Sequence, residues 1–236
     1  MNKLYFIVLL FSFCEKLLAT NPPDAISLSL GGSAAAYSST FCIQYNAAKV
    51  GGVLQYRILS IPIRQSSEPF SYFSFQGDNY LKNGIYYDAV FRNINLFAEW
   101  SYCFSNLTLA QNHGALISIH RKLDLSVLYR NYHPGFITFQ TNGFWENSNA
   151  KNEKGLYLGY RIKLKKYFSI VGYYDLFQNL NSQFKSIAPS RGFDLWTELR
   201  YKPSKIFNAY YRFRKEKKKN KLIVQTNPFI IMKIIR

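Results

Sequence analysis

From Gly84 onward, apolar and polar side chains trade places every second residue in runs of about 9–11, and few folds accept such a pattern. Successive side chains of a strand point to opposite faces, whereas a helix groups every third or fourth residue. Between Gly84 and Arg92, Ile85, Tyr87, Ala89 and Phe91 share one face, and Tyr86, Asp88, Val90 and Arg92 the other. Leu96, Ala98, Trp100 and Tyr102 then alternate with Asn95, Phe97, Glu99 and Ser101. Leu123, Leu125, Val127 and Tyr129 oppose Asp124, Ser126, Leu128 and Arg130. The second half is clearer: Leu156, Leu158, Tyr160, Ile162 and Leu164 alternate with Tyr157, Gly159, Arg161 and Lys163. Phe168, Ile170, Gly172, Tyr174 and Leu176 follow, then Phe193, Leu195, Thr197, Leu199 and Tyr201, and finally Phe207, Ala209, Tyr211 and Phe213.

Alternation fits a soluble sandwich as well as a membrane barrel, so two further features decide between them. The segments have the length of a tilted strand crossing a bilayer. Their connections also alternate, with short turns near Arg92-Asn93, Arg121-Lys122, Lys165-Lys166 and Pro203-Ser204 and long links at 104–113, 131–154 and 178–192. Short turns on one side and long loops on the other describe an outer-membrane barrel. The expected fold is therefore all-β, an antiparallel transmembrane β-barrel of about 8–12 strands. Asp88, Glu99, Asp124, Arg130, Arg161, Asp175, Asp194, Glu198 and Arg200 fall on the polar faces, where both signs of charge can pair across a lumen.

The N-terminus reads as an export signal over residues 1–20: Asn2-Lys3, an apolar stretch from Leu4 to Phe13, then Leu17-Leu18-Ala19-Thr20. Ten apolar residues are too few for a membrane helix, and no later run reaches the required length of about 20. Residues 21–70 show little pattern beyond Leu54, Tyr56 and Ile58, and Ser66–Pro69 reads as loop. The barrel is placed at 71–214 and a basic, then apolar, tail at 215–236. Of the cysteines that follow the signal, Cys42 and Cys103 have no metal-ligand spacing and read as unpaired, buried thiols.

The formal charge of +17 suggests an anionic partner, but seven of the basic residues crowd between Arg212 and Lys221. Such a run reads first as a solvated segment. His113, His120 and His133 lie in or beside expected turns, match no zinc motif, and give no reason to assign a metal. No nucleophile elbow, phosphate loop or dinucleotide fingerprint is present, so neither a catalytic residue nor a cofactor is expected.

Particular phrases carry a family resemblance: Phe75-Gln76-Gly77, Asn93-Ile94-Asn95-Leu96-Phe97-Ala98-Glu99, Leu128-Tyr129-Arg130-Asn131-Tyr132 and Asn152-Glu153-Lys154-Gly155-Leu156-Tyr157. Ala188-Pro189-Ser190-Arg191-Gly192-Phe193-Asp194 and Tyr201-Lys202-Pro203-Ser204 continue it. In order and spacing, the stretch from about Phe73 to Arg214 resembles the C-terminal outer-membrane barrel of Bacteroidetes helix-hairpin-helix domain-containing proteins. The resemblance implies a bacterial outer-membrane location with lipid as the main partner. Nucleic-acid handling is implied only through the helix-hairpin-helix module, which this chain lacks. The family barrel also continues further, and here the chain ends in Ile234-Ile235-Arg236 without a terminal aromatic, so an incomplete barrel is expected. The expectation is a structural or transport-associated outer-membrane barrel; the alternative is a soluble periplasmic β-protein that binds an anionic polymer through its basic tail.

Overall fold

The computed structural model describes residues 35–64, 72–73, 75–137, 144, 151–181, 189–204, 207–218 and 221–232. The regular elements among them are all strands: β1 (Ala35–Tyr45), β2 (Ala48–Ile63), β3 (Gly77–Phe91), β4 (Ile94–Cys103), β5 (Thr108–His120) and β6 (Leu123–Tyr132). β7 (Glu153–Lys165), β8 (Phe168–Gln178), β9 (Arg191–Tyr201), β10 (Phe207–Lys218) and β11 (Lys221–Met232) complete the set. They form one antiparallel sheet in which every strand pairs with its neighbours in sequence. Among the described residues no ladder joins β1 to β11.

Connections differ between the two ends of the sheet. One end holds the turns at 46–47, 92–93, 121–122 and 166–167, with a slightly longer one at 202–206. The other end holds the links at 64–76, 104–107, 133–152, 179–190 and 219–220. Two of the short turns place a residue in the left-handed region, Asn46 at φ 51° and Arg92 at φ 53°. Asn tolerates that conformation because its amide substitutes for backbone contacts; Arg gains no such help. The neighbouring Asn93 ties this turn to β5, donating from Nδ2 to the Ser118 carbonyl at 2.7 Å.

Several boundaries differ from those expected. The link at 104–113 shrinks to 104–107, because Thr108–His113 already pairs with β4 and places His113 within a strand. Residues 21–70 contain two long strands, β1 and β2, where only one had been legible. Residues 215–218 continue β10 and 221–232 form β11, so the basic run is strand rather than tail. The expected signal segment at 1–20 and the expected loop at Ser66–Pro69 lie outside the described residues.

The two faces of the sheet differ in the opposite sense to a soluble protein. On one face, Phe41, Ile43, Leu54, Ile85, Leu96, Leu158, Leu176 and Leu199 are all exposed. On the other, Arg130, Glu153, Asp175, Asp194 and Glu198 are at most 1% exposed. The polar face is thus the occluded one. Its packing relies on glycines that let a partner side chain lie flat across the neighbouring strand. A Cβ on Gly155 would come within 2.5 Å of the guanidinium carbon of Arg130, its direct cross-strand partner. Phe97 lies in the same way over its partner Gly114.

At the loop end, residues 133–137 fold against the occluded face. Phe136 is buried with Ala110 and Tyr132, and Ile137 packs beside the buried group Phe75, Tyr80 and Cys103. The Tyr80 hydroxyl donates to the Ile137 carbonyl at 2.6 Å, and Asn106 Nδ2 to the Gly135 carbonyl at 2.6 Å. Lys82 Nζ sits 5.3 Å from the centre of the Phe136 ring. Cys103 belongs to this seal, while Cys42 is exposed, which corrects the expectation that both thiols are buried. A water-soluble maleimide is therefore expected to modify Cys42 and spare Cys103 in folded protein, and to modify both after denaturation. Peptide mass mapping reads the outcome.

Candidate functional site

The occluded face is organised around charge. Arg130, from the loop-end half of β6, reaches over Gly155 and binds two carboxylates from two further strands. Its Nε donates to Glu153 Oε1 at 2.6 Å, and its Nη1 and Nη2 to the two oxygens of Asp175 at 2.8 and 3.0 Å. All three side chains are sealed from solvent, with exposures of 0, 0 and 1%. The planar guanidinium matches a carboxylate bidentately and still has Nε for a second, which a lysine could not do. The Phe144 ring covers the group, its centre 5.2 Å from the guanidinium carbon.

A second network spans β8, β9 and β10. Asp194 accepts from Arg214 Nε at 3.1 Å and Nη2 at 2.8 Å, and from the Tyr173 hydroxyl at 2.8 Å. Arg214 also reaches Glu216 at 3.1 Å, and Lys218 closes on the same carboxylate at 2.9 Å. Asp175 and Asp194 are direct cross-strand partners. Two carboxylates so placed would repel, and each is neutralised by its own arginine. Nearer the short-turn end, Glu198 lies between two guanidinium groups, accepting from Arg200 Nε at 2.9 Å and from Arg212 Nε at 2.6 Å. Aromatic rings run beside these charges: Phe144 to Tyr157 at 5.0 Å, Tyr157 to Tyr173 at 5.3 Å, and Tyr173 to Trp196 at 5.8 Å.

The register places all nine charges singled out from the sequence on this one face. Asp88, Asp175 and Asp194 fall in a single row across the sheet, through Phe97, Gly114, Leu128 and Tyr157. Glu99 shares a row with Arg130 through Asn112. Asp124 stands opposite Arg161 and accepts from Ser118 Oγ at 2.8 Å. Arg200 and Glu198 meet directly. Glu153, Arg212, Arg214 and Glu216 were not among those nine. Counting back by twos from Arg161 reaches Glu153, and counting on from Tyr210 reaches Arg212, Arg214 and Glu216, so strand parity would have found all four.

The histidines do not gather. His113 lies on the open face, its ring 5.0 Å from Trp100, and His133 begins the loop after β6. Among the described residues no group of three or more potential ligands could hold a metal ion. Nδ1 of His133 accepts the Gly135 N–H at 3.1 Å, and partial burial holds its pKa below the ordinary 6.5. A histidine depressed in the folded state favours folding above its unfolded pKa and loses that contribution as pH falls through the folded value. The loop seal should accordingly loosen below about pH 6.5, seen as a lower protection of the Gly135 amide relative to its intrinsic exchange rate and absent in H133N.

No protein-family model matches the chain, and neither a curated protein nor a solved structure matches it. The chemistry available on the occluded face is pairing and hydrogen bonding of charge, held by strands rather than loops. Removing Arg130 leaves two buried carboxylates without a counter-charge, which costs about 3–5 kcal/mol. R130M is expected to lower the denaturation midpoint of the folded protein far more than R200Q, whose side chain is 45% exposed. Tryptophan fluorescence against urea measures both.

Proposed function

We propose that the chain forms a β-barrel of the outer-membrane type, set in the bacterial outer membrane, with a structural or transport-associated rather than catalytic role. One observation carries this reading: the exposed face of the sheet is the apolar one. Soluble proteins seldom expose apolar patches beyond a few hundred Å², and here exposed Leu, Ile and Phe side chains recur on β1 to β5 and β7 to β9. Lipid is the solvent that such a face matches, with charged groups turned inward.

The height of the apolar face agrees. On β7 the outward residues Leu156, Leu158, Tyr160, Ile162 and Leu164 extend about 26 Å along the strand at roughly 3.3 Å per residue. At the usual barrel tilt of about 40° that becomes roughly 20 Å of membrane depth, close to the apolar band of about 25 Å. From β6 to β9 the band ends toward the loop end at Asn131, Lys154, Gln178 and Arg191, one register row that continues into Gln111 of β5. Trp100 lies in that same row and Tyr87, His113 and Tyr129 one row inside it, joined by the ring contacts Tyr87–Trp100, Trp100–His113 and His113–Tyr129. At the short-turn end Phe168, Tyr201 and Phe207 form a second aromatic cluster, beside the turn that carries Lys166 and Tyr167. Aromatic residues at both edges of an apolar band suit the two membrane interfaces.

The resemblance to the barrel of Bacteroidetes helix-hairpin-helix proteins is compatible with this reading, and its nucleic-acid aspect belongs to the helix-hairpin-helix module of those proteins. The soluble alternative loses its main support, because the basic run lies largely in β10, where Arg212 and Arg214 bind Glu198 and Asp194. Membrane fractionation, followed by electrophoresis with and without boiling, tests the proposal. The protein should stay with the outer membrane and change mobility on heating; a soluble, heat-indifferent protein refutes it. L158R places a cation on the lipid face near mid-depth and should destabilise the folded form by about 2–4 kcal/mol in bilayers.

A further inference from the structure

We propose that the occluded face near the short-turn end carries a binding site for small soluble oxyanions bearing phosphate or sulfate groups. Two adjacent register rows build it. Asp124, Arg161, Val171, Glu198 and Arg212 form one, across β6 to β10. Lys163, Ser169, Arg200 and Tyr210 form the next, across β7 to β10. Neighbouring strands lie about 4.8 Å apart, so Arg200 and Arg212 stand on adjacent strands, with Lys163 and Arg161 two strands, about 10 Å, from Arg200 and within reach of long side chains. The two rows hold four cations, Arg161, Lys163, Arg200 and Arg212, against two carboxylates, Asp124 and Glu198.

Depth sorts these charges further. Glu198 is 1% exposed, whereas Arg200 and Arg212, which flank it, are 45 and 43% exposed. The carboxylate is covered, and the guanidinium groups form the surface that solvent meets. One negative charge shared by two arginines leaves a net positive charge at that surface. Arg212 is held through Nε by Glu198 and stacked 4.2 Å over the Tyr210 ring. Within β6 to β10 its two terminal amino groups make no hydrogen bond, and they form a preoriented donor fork toward an oxyanion on that side. Pairing with Glu198 removes most of the side-chain freedom that binding would otherwise have to freeze. The Tyr157, Tyr173 and Trp196 rings continue along the same face, so a phosphate or sulfate on a ring-bearing solute has a surface to lie against.

This inference rests on the barrel reading, which makes the occluded face a water-lined interior rather than a lipid contact. The test uses the full chain folded in detergent, with labelled inorganic pyrophosphate in equilibrium dialysis. Binding should be saturable, should weaken as salt rises, and should fall at least about tenfold in R212Q. R212Q leaves Glu198 paired with Arg200, so no buried carboxylate is stranded. K154Q removes the same charge from the open face and should bind as the parent does. Heat-dependent mobility is measured on every variant. Folded, heat-modifiable protein that binds no pyrophosphate, or an R212Q variant that binds it unchanged, overturns the site while leaving the barrel standing. Protein without heat-dependent mobility overturns the barrel reading and the site with it. In bilayers, binding that survives phosphatidylglycerol supports a soluble ligand; binding abolished by phosphatidylglycerol and restored in phosphatidylcholine assigns the cations to lipid headgroups and overturns the proposal.

Discussion

Carboxylates sealed beneath guanidinium groups hold the polar face of this sheet together. An ionised carboxylate withdrawn from water is severely destabilised unless a counter-charge and hydrogen bonds replace the solvent. Here Glu153 and Asp175 share Arg130, Asp194 has Arg214, and Glu198 lies between Arg200 and Arg212. Each arrangement ties together two or three strands, so the charges also fix register. A slip of one residue in β7 would turn Glu153 outward and Leu156 inward, breaking the Arg130 clamp and the apolar band together. Gly155 is part of the same device, because any larger residue would occupy the space in which Arg130 crosses the strand.

The opposite face obeys the complementary rule. Its side chains make no core with another layer, since the described residues contain no second sheet and no helix. What remains is a graded surface: apolar across the middle, aromatic toward each edge, then polar or basic. The grading continues from strand to strand through register rows rather than along any one segment. Rows are therefore the natural unit for reading both faces, and they bring Gln111, Asn131, Lys154, Gln178 and Arg191 into one line from five separate stretches of sequence.

Period-two alternation made β3, β4 and β6 to β10 legible and assigned the nine charged residues to one face. It failed where alternation is weak. In β1, Ser38, Ser39, Thr40, Cys42 and Gln44 offer no clear polar-apolar contrast, and the strand is evident only from its ladder with β2. Thr108–His113 resembled a link because the polar Gln111 and His113 fall on the otherwise apolar open face and break its contrast with the occluded one. Crowded like charges concealed the end of β10: Lys215 and Lys217 belong to the open face, and Arg214, Glu216 and Lys218 to the occluded one. Partner choice was the part sequence could not supply. That Arg130 binds Glu153 and Asp175, rather than the nearer Asp124 in its own strand, depends on registers set over three strands.

Strand number has a geometric corollary. In an up-and-down sheet of eleven strands, the first and last run in the same direction. Any ladder made directly between those two edges is therefore parallel, with slanted and evenly spaced bonds, unlike the ten antiparallel ladders elsewhere. It would also be the single pairing that connects opposite ends of the chain. The ten ladders present all join neighbours in sequence, so each can assemble as a local hairpin at a small loop-closure cost.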